Sequence, residues 1–597
     1  MSYHDESAAD PSEGSTVTHS ETSSLLGAET PVDDEPGDIH KYGSIERDDP
    51  ELGAGTTVTS DGRKYSNAFI ARTVVALLIG TFTTNADGSL VLATHPVIGS
   101  EFHDLENSSW LFIGFMLAGL ATQSLYGKLS DILGRKPLLL LSYGLFAIGC
   151  ALVGAGQSLW QVIIGRVVSG SGGAGMTVLV ALIITDLAPL REVAAWQSYL
   201  NIVSTTGRSI GGPLGGWLTD TIGWRWSFLG QAPIFAMATL ICWYILPPLK
   251  PESSDVAGGS DSLGKKLGCI DFTGAALLGL GIFSLMLPVE IGGSKLPWSH
   301  HVIVGLFAVG AILLTAFFFV EKSWAREPIF PVRLLCNKNA VLCFIITGCQ
   351  LSAQLAMMYS VPLYFQVTQR SSSTIAGAHL FPAVIGNTIG ALAVGYLIKK
   401  TGRYKTLIIF ATSAGMLCYL LLILRWRGDT NWAESMYIIP GGLGTGMAQT
   451  AVFIALQASI DAKDRGSATS ALFLIGPMAA TIVMAIGSAL IVAGLRDGLL
   501  VRLTTLGLSD DSIQEAIASA AADVAYLDRA PPAIAKAAVE SYVEGIEYSH
   551  FVSVISDSQA PAPFESFLSG NGDGAARRST TAAVLTLAKV AIGYANM

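Results

Sequence analysis

Gly127-Lys-Leu-Ser-Asp-Ile-Leu-Gly-Arg-Lys-Pro-Leu-Leu-Leu140 is the stretch on which the reading of this chain turns. It joins two apolar runs, near 109–127 and 137–156, through a short loop holding Gly127, Gly134, Asp131 and the bases Lys128, Arg135 and Lys136. Each run is long enough to cross a hydrocarbon core of roughly 30 Å. Outward from this loop, fourteen such runs follow one another, near 68–92, 109–127, 137–156, 160–186, 194–219, 227–247, 270–290, 302–320, 340–366, 376–398, 407–424, 434–457, 467–494 and 580–597. Composition agrees: of 597 residues 51% are hydrophobic and only 14% charged, against roughly 25% charge in a soluble domain. An ordinary soluble enzyme, a disordered protein and a nucleic-acid binder are excluded. The reading is an all-α, polytopic membrane protein.

The net charge of −10 belongs to one end. Residues 1–66 hold 15 Asp/Glu against 4 Lys/Arg, and the remainder is nearly neutral. This tail, rich in Ser, Thr, Pro and Gly without periodicity, is expected to be disordered, with no cleavable signal peptide before the first run. With the N-terminus in the cytosol, the cytosolic loops carry 17 Lys/Arg and the short opposite loops 5, which sets the orientation. Trp110, Trp160, Trp224, Trp226, Trp298 and Trp432 sit near segment ends, where indoles anchor at the interface.

The loop recurs. Gly395-Tyr-Leu-Ile-Lys399-Lys-Thr-Gly402-Arg403-Tyr-Lys405 repeats Gly, then Leu two residues on, then Gly-Arg seven on, with Lys399 where Asp131 stands. Asp186 to Arg191 after the fourth run matches Asp461 to Arg465 after the twelfth. Both pairs relate segment n to segment n+8. The organisation is therefore an acidic cytosolic tail (1–66), a six-helix half (67–250), a linker with two extra helices (251–325), and a second six-helix half (326–597) with a long non-cytosolic loop near 495–579. Parallel repeats of this kind are a transporter arrangement.

Gly127–Leu140 matches the loop signature of the major facilitator superfamily, and the chain resembles that family. The resemblance implies a latch formed by Gly127, Asp131, Gly134, Arg135 and Lys136 on the cytosolic side. Asp131 would face a neighbouring helix N-terminus and Arg135 would pair with it. Gly207-Arg-Ser-Ile-Gly211-Gly212-Pro213-Leu-Gly215-Gly216 resembles the superfamily's antiporter motif; small residues there let helices touch and Pro213 bends one of them. With fourteen spans the chain is similar to the drug:proton antiporter branch. The run Asn85-Ala-Asp87-Gly-Ser-Leu-Val-Leu-Ala-Thr-His95-Pro96 looks like that of the fungal vacuolar basic amino-acid transporters, as do Ser109-Trp110 and Gln123–Asp131.

Ionisable groups inside the apolar runs are few: Asp87, Arg166 and Arg208. Such groups point to function by default, here proton and substrate coupling. The alternative is a structural pair, Asp87 with Arg208, and for Arg166 a packing role against backbone carbonyls. Asp87 lies roughly 25 Å along its segment, past the midplane, where a proton and a cationic substrate would compete for one carboxylate. Gly170-Ser-Gly-Gly-Ala-Gly175 fits a nucleotide-binding glycine pattern literally, but it lies inside an apolar helix with no strand before it. The seven cysteines form no CxxC or Cys/His cluster. No cofactor, no metal and no enzymatic activity is expected. Asn107-Ser-Ser109 is the glycosylation sequon, and Glu21-Thr-Ser-Ser-Leu25-Leu26 has the form of an acidic dileucine signal read by sorting adaptor complexes.

The expected function is a monomeric proton-coupled antiporter, embedded in the vacuolar membrane, that moves lysine, arginine and histidine out of the cytosol. The alternatives are a plasma-membrane multidrug or toxin exporter and a non-transporting nutrient sensor.

Overall fold

The computed structural model describes residues 56–58, 64–104, 107–247, 271–292, 296–323, 333–461, 464–522, 524 and 526–559. The thirteen apolar runs within them are helices. In the first half these are α1 (Asn67–Glu101), α2 (Trp110–Leu133), α3 (Arg135–Ala155), α4 (Leu159–Leu187), α5 (Leu190–Ile222) and α6 (Trp224–Ile245, broken at Gly230). The inserted pair is α7 (Phe272–Ile291) and α8 (His301–Ser323). The second half holds α9 (Lys338–Gln369), α10 (Phe381–Thr401), α11 (Lys405–Arg425), α12 (Ile439–Ala458) and α13 (Arg465–Thr505). The run at 580–597 and the tail residues Glu21, Leu25 and Leu26 lie outside the described residues.

Twelve helical stretches among the described residues are long and apolar enough to cross a membrane. α5, at 33 residues, has the length but carries Glu192, Arg208 and Asp220. Its polarity has a reason: one face of α5, with Asn201 and Thr205, meets the other half of the molecule. The chain is a multi-pass membrane protein. At the end of the tail, Thr56–Val58 pairs antiparallel with Lys64–Ser66. This departs from the expectation of a tail without structure. The residues involved, Thr, Val and Tyr, are those that suit a pleated strand.

Two seams join the halves. α2 packs on α13, and α5 packs on α10 and α12. The n+8 repeat exchanges the α2–α13 seam with the α5–α10 seam. A shared apolar core runs from Leu138, Leu179 and Ile183 in the first half to Val394, Ile408 and Val452 in the second. The inserted pair does not sit apart. Leu278, Ile282 and Met286 of α7 and Phe317 of α8 form one cluster with Ile113, Leu117 and Leu120 of α2 and Leu474 of α13. α7 and α8 therefore cover the α2–α13 seam.

Beyond the thirteenth run the structure gives form to the stretch read as a long loop. α13 has 41 residues, roughly 60 Å at 1.5 Å per residue, about twice the hydrocarbon thickness. The chain turns through α14 (Asp510–Ala522) and returns as α15 (Pro532–Gln559) along α13. Arg502 of α13 pairs with Glu544 at 3.1 Å and Glu540 at 3.3 Å of α15. The buried His550 reaches Ser360 of α9 at 3.1 Å. Two amphipathic stretches of the sequence, 511–522 and 533–548, fall in α14 and α15.

Candidate functional site

The latch loop comes first, since it orients everything else. Gly134 separates α2 from α3 with φ 93°, and its repeat counterpart Gly402 separates α10 from α11 with φ 69°. A side chain is strained at either angle, so both loops need glycine at the same place. Arg135 is buried, 4% exposed, and donates to Asp131 Oδ1 at 2.6 Å, to Asp186 Oδ2 at 2.9 Å and to Ser130. It thus ties α2 to the end of α4. Lys136 caps α6 by donating to the carbonyls of Trp243 at 2.7 Å and Leu246 at 2.6 Å. Asp131 abuts Gly466 in the first turn of α13, where the helix's positive end favours a carboxylate. A Cβ on Gly127 would meet Ser470 and the Gly466 carbonyl. Across the second seam the polarity is inverted: Lys399 of α10 faces Glu192 in the first turn of α5 at 3.5 Å. Asp131 stands against the first turn of α13 without a salt-bridge partner there among the described residues, whereas Lys399 meets an acidic side chain on α5.

The antiporter-motif glycines lie on the face of α5 that meets α1. Sites for a Cβ on Gly207, Gly211 and Gly215 fall against Phe82, Ala86 and Leu90, one turn apart on each helix. Gly212 and Gly216 face more open space, and Pro213 stands inside the helix between them. The motif holds α1, and with it Asp87, at backbone distance from α5.

Asp87 and Arg166 are brought together; Arg208 is not part of that pair. Arg166 Nη1 donates to Asp87 Oδ2 at 2.5 Å, and both side chains are fully buried. Arg166 Nε also donates to the Leu111 carbonyl at 3.2 Å, and its guanidinium lies 4.2 Å from the centre of the Phe115 ring. The bond to the Leu111 carbonyl is of the kind weighed for Arg166 as a packing role, and the ion pair with Asp87 takes the place expected for Arg208. The other oxygen, Asp87 Oδ1, accepts from Gln231 Nε2 at 3.0 Å. The charges are thus enclosed by α1, α2, α4 and α6, inside one half. In this state Asp87 offers no surface to a substrate, and its partner is Arg166 rather than Arg208. The carboxylate on which the expected competition rests is taken up by Arg166 and Gln231.

Arg208 stands on the face of α5 that carries Asn201 and Thr205. Its Nε is buried without a hydrogen-bond partner among the described residues. Asn201 Nδ2 donates to the Gly446 carbonyl of α12 at 3.4 Å, and Thr205 Oγ1 donates to Asn387 Oδ1 of α10 at 3.2 Å. A small pocket in the second half is lined by Gln350, Gln354 and Met357 of α9, Tyr419 of α11 and Thr445 of α12. Asn107 lies in the α1–α2 loop, half-buried, donating to Asp104 at 3.0 Å. Sequence reasoning missed Gln231, Asn201, Asn387 and Glu192. The first three left a signal, since each is a polar side chain set in or beside an apolar run.

The sequence model described as Major Facilitator Superfamily matches residues 77–488. The chain belongs to the major facilitator superfamily. It is a transporter and not an enzyme. The chain is 29% identical over 494 residues to the "Vacuolar membrane amino acid uptake transporter fnx2" of Schizosaccharomyces pombe, covering 82% of each chain. It is 34% identical over 407 residues to the "Multidrug resistance protein fnx1" of the same yeast, covering 67% of this chain and 74% of that one. It is 26% identical over 456 residues to the "Vacuolar basic amino acid transporter 2" of Saccharomyces cerevisiae, covering 76% and 96%.

Proposed function

We propose that this major facilitator protein is a proton-coupled antiporter that carries basic amino acids from the cytosol into the vacuole, with its N-terminus and latch loop in the cytosol. The observation that carries the coupling is the sealed Asp87–Arg166–Gln231 cluster. A buried charge pair is tolerated only while both charges are present; removing one partner costs about 3–5 kcal/mol. A proton arriving at Asp87 from the acidic side cancels one charge and strands the other. Arg166 must then find a new partner, and α1 and α4 shift against each other to let it. α1 is packed at backbone distance on α5, and α5 forms one of the two seams, so that shift reaches the interface between the halves. Proton release on the cytosolic side restores the pair.

The substrate class rests on likeness to the two vacuolar amino-acid transporters and on the Asn85–Pro96 run. The likeness to a multidrug resistance protein at 34% identity favours a second reading, proton-driven drug export at the plasma membrane.

The test is ΔpH-driven uptake of labelled lysine and arginine into proteoliposomes or vacuolar vesicles. Asp87→Asn removes the charge and keeps the shape, so it mimics the protonated state. Uptake driven by the proton gradient should fall at least tenfold at matched protein level, while lysine–lysine exchange continues. Wild-type ΔpH-driven rates in Asp87→Asn would rule the coupling role out. Drug export without lysine uptake by the wild type would select the second reading.

A further inference from the structure

At mid-depth of the membrane segments, α5 meets α10 and α12 through amide side chains whose hydrogen bonds are only half made. Asn201 and Asn387 are 5% and 2% exposed. Asn201 spends its Nδ2 on the Gly446 carbonyl and Asn387 spends its Oδ1 on Thr205. What remains is Asn201 Oδ1, an acceptor, and Asn387 Nδ2, a donor, both buried without partners among the described residues. One turn further along the same face of α5, Arg208 Nε is a third buried group in the same condition.

Buried polar groups left unpaired are rare and call for a reason, since each costs about 1–3 kcal/mol. Two of them lie on one seam with their partners on facing helices, and the third follows on the same face of α5; together they offer two donors, one of them cationic, and one acceptor. That set is the complement of an α-amino acid's own ends. A carboxylate takes Arg208 and Asn387 Nδ2, and an ammonium gives to Asn201 Oδ1. We infer that Asn201, Asn387 and Arg208 form the site that holds the α-carboxylate and α-ammonium of the substrate. α12 connects it to the neighbouring pocket. Gly446, which Asn201 touches, follows Thr445 of the pocket wall, and Gln449 bonds Gln354 across it at 3.5 Å. In this state that pocket has room for about one water molecule.

The inference rests on the amino-acid reading above, and one experiment separates the two. In proteoliposomes, labelled lysine uptake is measured against competition by cadaverine, which is lysine without its carboxylate, and by 6-aminohexanoate, which lacks the α-amine. In the wild type both analogues should compete about tenfold worse than lysine or weaker, the value of one hydrogen bond to a charged group. Asn387→Asp keeps the shape and the acceptor for Thr205 but loses the donor. It and Arg208→Gln should raise the lysine KM about tenfold and bring the lysine-to-cadaverine ratio towards one. That ratio does not depend on how much protein folds. A wild type that takes up lysine yet accepts cadaverine equally well, or variants that keep the wild-type ratio, would overturn the site alone. A wild type that ignores lysine and exports apolar cations instead would overturn the amino-acid reading and the site with it.

Discussion

The Asp87–Arg166 pair shows how much one contact depends on helix rotation. The two residues are 79 positions apart. Their charge made them visible in the sequence, because a carboxylate and a guanidinium stand out in apolar runs. Their pairing was not visible. A rotation of α4 by one residue would turn Arg166 by about 100° and aim it elsewhere. Gln231 was harder still, since an amide near an apolar segment has many uses. The glycines of the motif were legible as close packing, but not what they pack against. The structure makes that specific: a Cβ on Gly211 would meet the Ala86 carbonyl, one residue from Asp87. Gly211→Ala should therefore destabilise the protein by about 1–3 kcal/mol, with transport lost even in the fraction that remains folded. Gly216→Ala, where a Cβ meets open space, serves as the control. Thermal unfolding of both detergent-solubilised variants, beside uptake per folded molecule, checks this; equal behaviour of the two would refute it.

Among the elements, the two seams are the parts that must open and close. The repeat in the sequence announced both loops, and Gly134 and Gly402 take a positive φ at the same place in each. The departure at Lys399 could not be interpreted from sequence, because its partner lies on α5, a helix of the other half. Lys399 meets Glu192 at 3.5 Å with both groups partly exposed, a geometry worth about 0–1 kcal/mol and sensitive to salt. In the Asp131–Arg135–Asp186 cluster Arg135 is buried, and its pair with Asp131 is screened far less. Glu192→Lys should speed opening of the latch end and shift the population towards the cytosol-facing state. Adding Lys399→Glu should restore most of the wild-type balance. Cysteine-accessibility labelling across the α5–α10 seam reads that population directly. If the double swap behaves like the single variant, the pair does not bridge the halves in the working protein. The returning helix α15 was legible only as an amphipathic stretch. Its seat along α13, α9 and α11 is a long-range fact that no local pattern encodes.

Taken whole, the molecule has two halves related by a repeat that the chain itself displays, so the architecture was open to reading before any coordinate. The placement of the inserted pair was not, because α7 and α8 are apolar on most faces and could have packed against either half or neither. The proposed vacuolar residence makes a prediction about the acidic tail, whose Glu21–Leu26 stretch has the form of a sorting signal. Leu25→Ala combined with Leu26→Ala should redirect a tagged protein to the cell surface while leaving transport per molecule unchanged. Continued arrival at the vacuole would show that the tail's dileucine is not read.

The position of α7 and α8 has a mechanical consequence. They lie over α2 and α13, while at the other seam Tyr199 of α5 and Tyr396 of α10 are exposed, 45% and 63%. A protein with two equivalent joints has made them unequal. One is covered by the inserted helices, and the other leaves side chains of α5 and α10 uncovered. The repeat's symmetry therefore does not extend to the surroundings of its two seams.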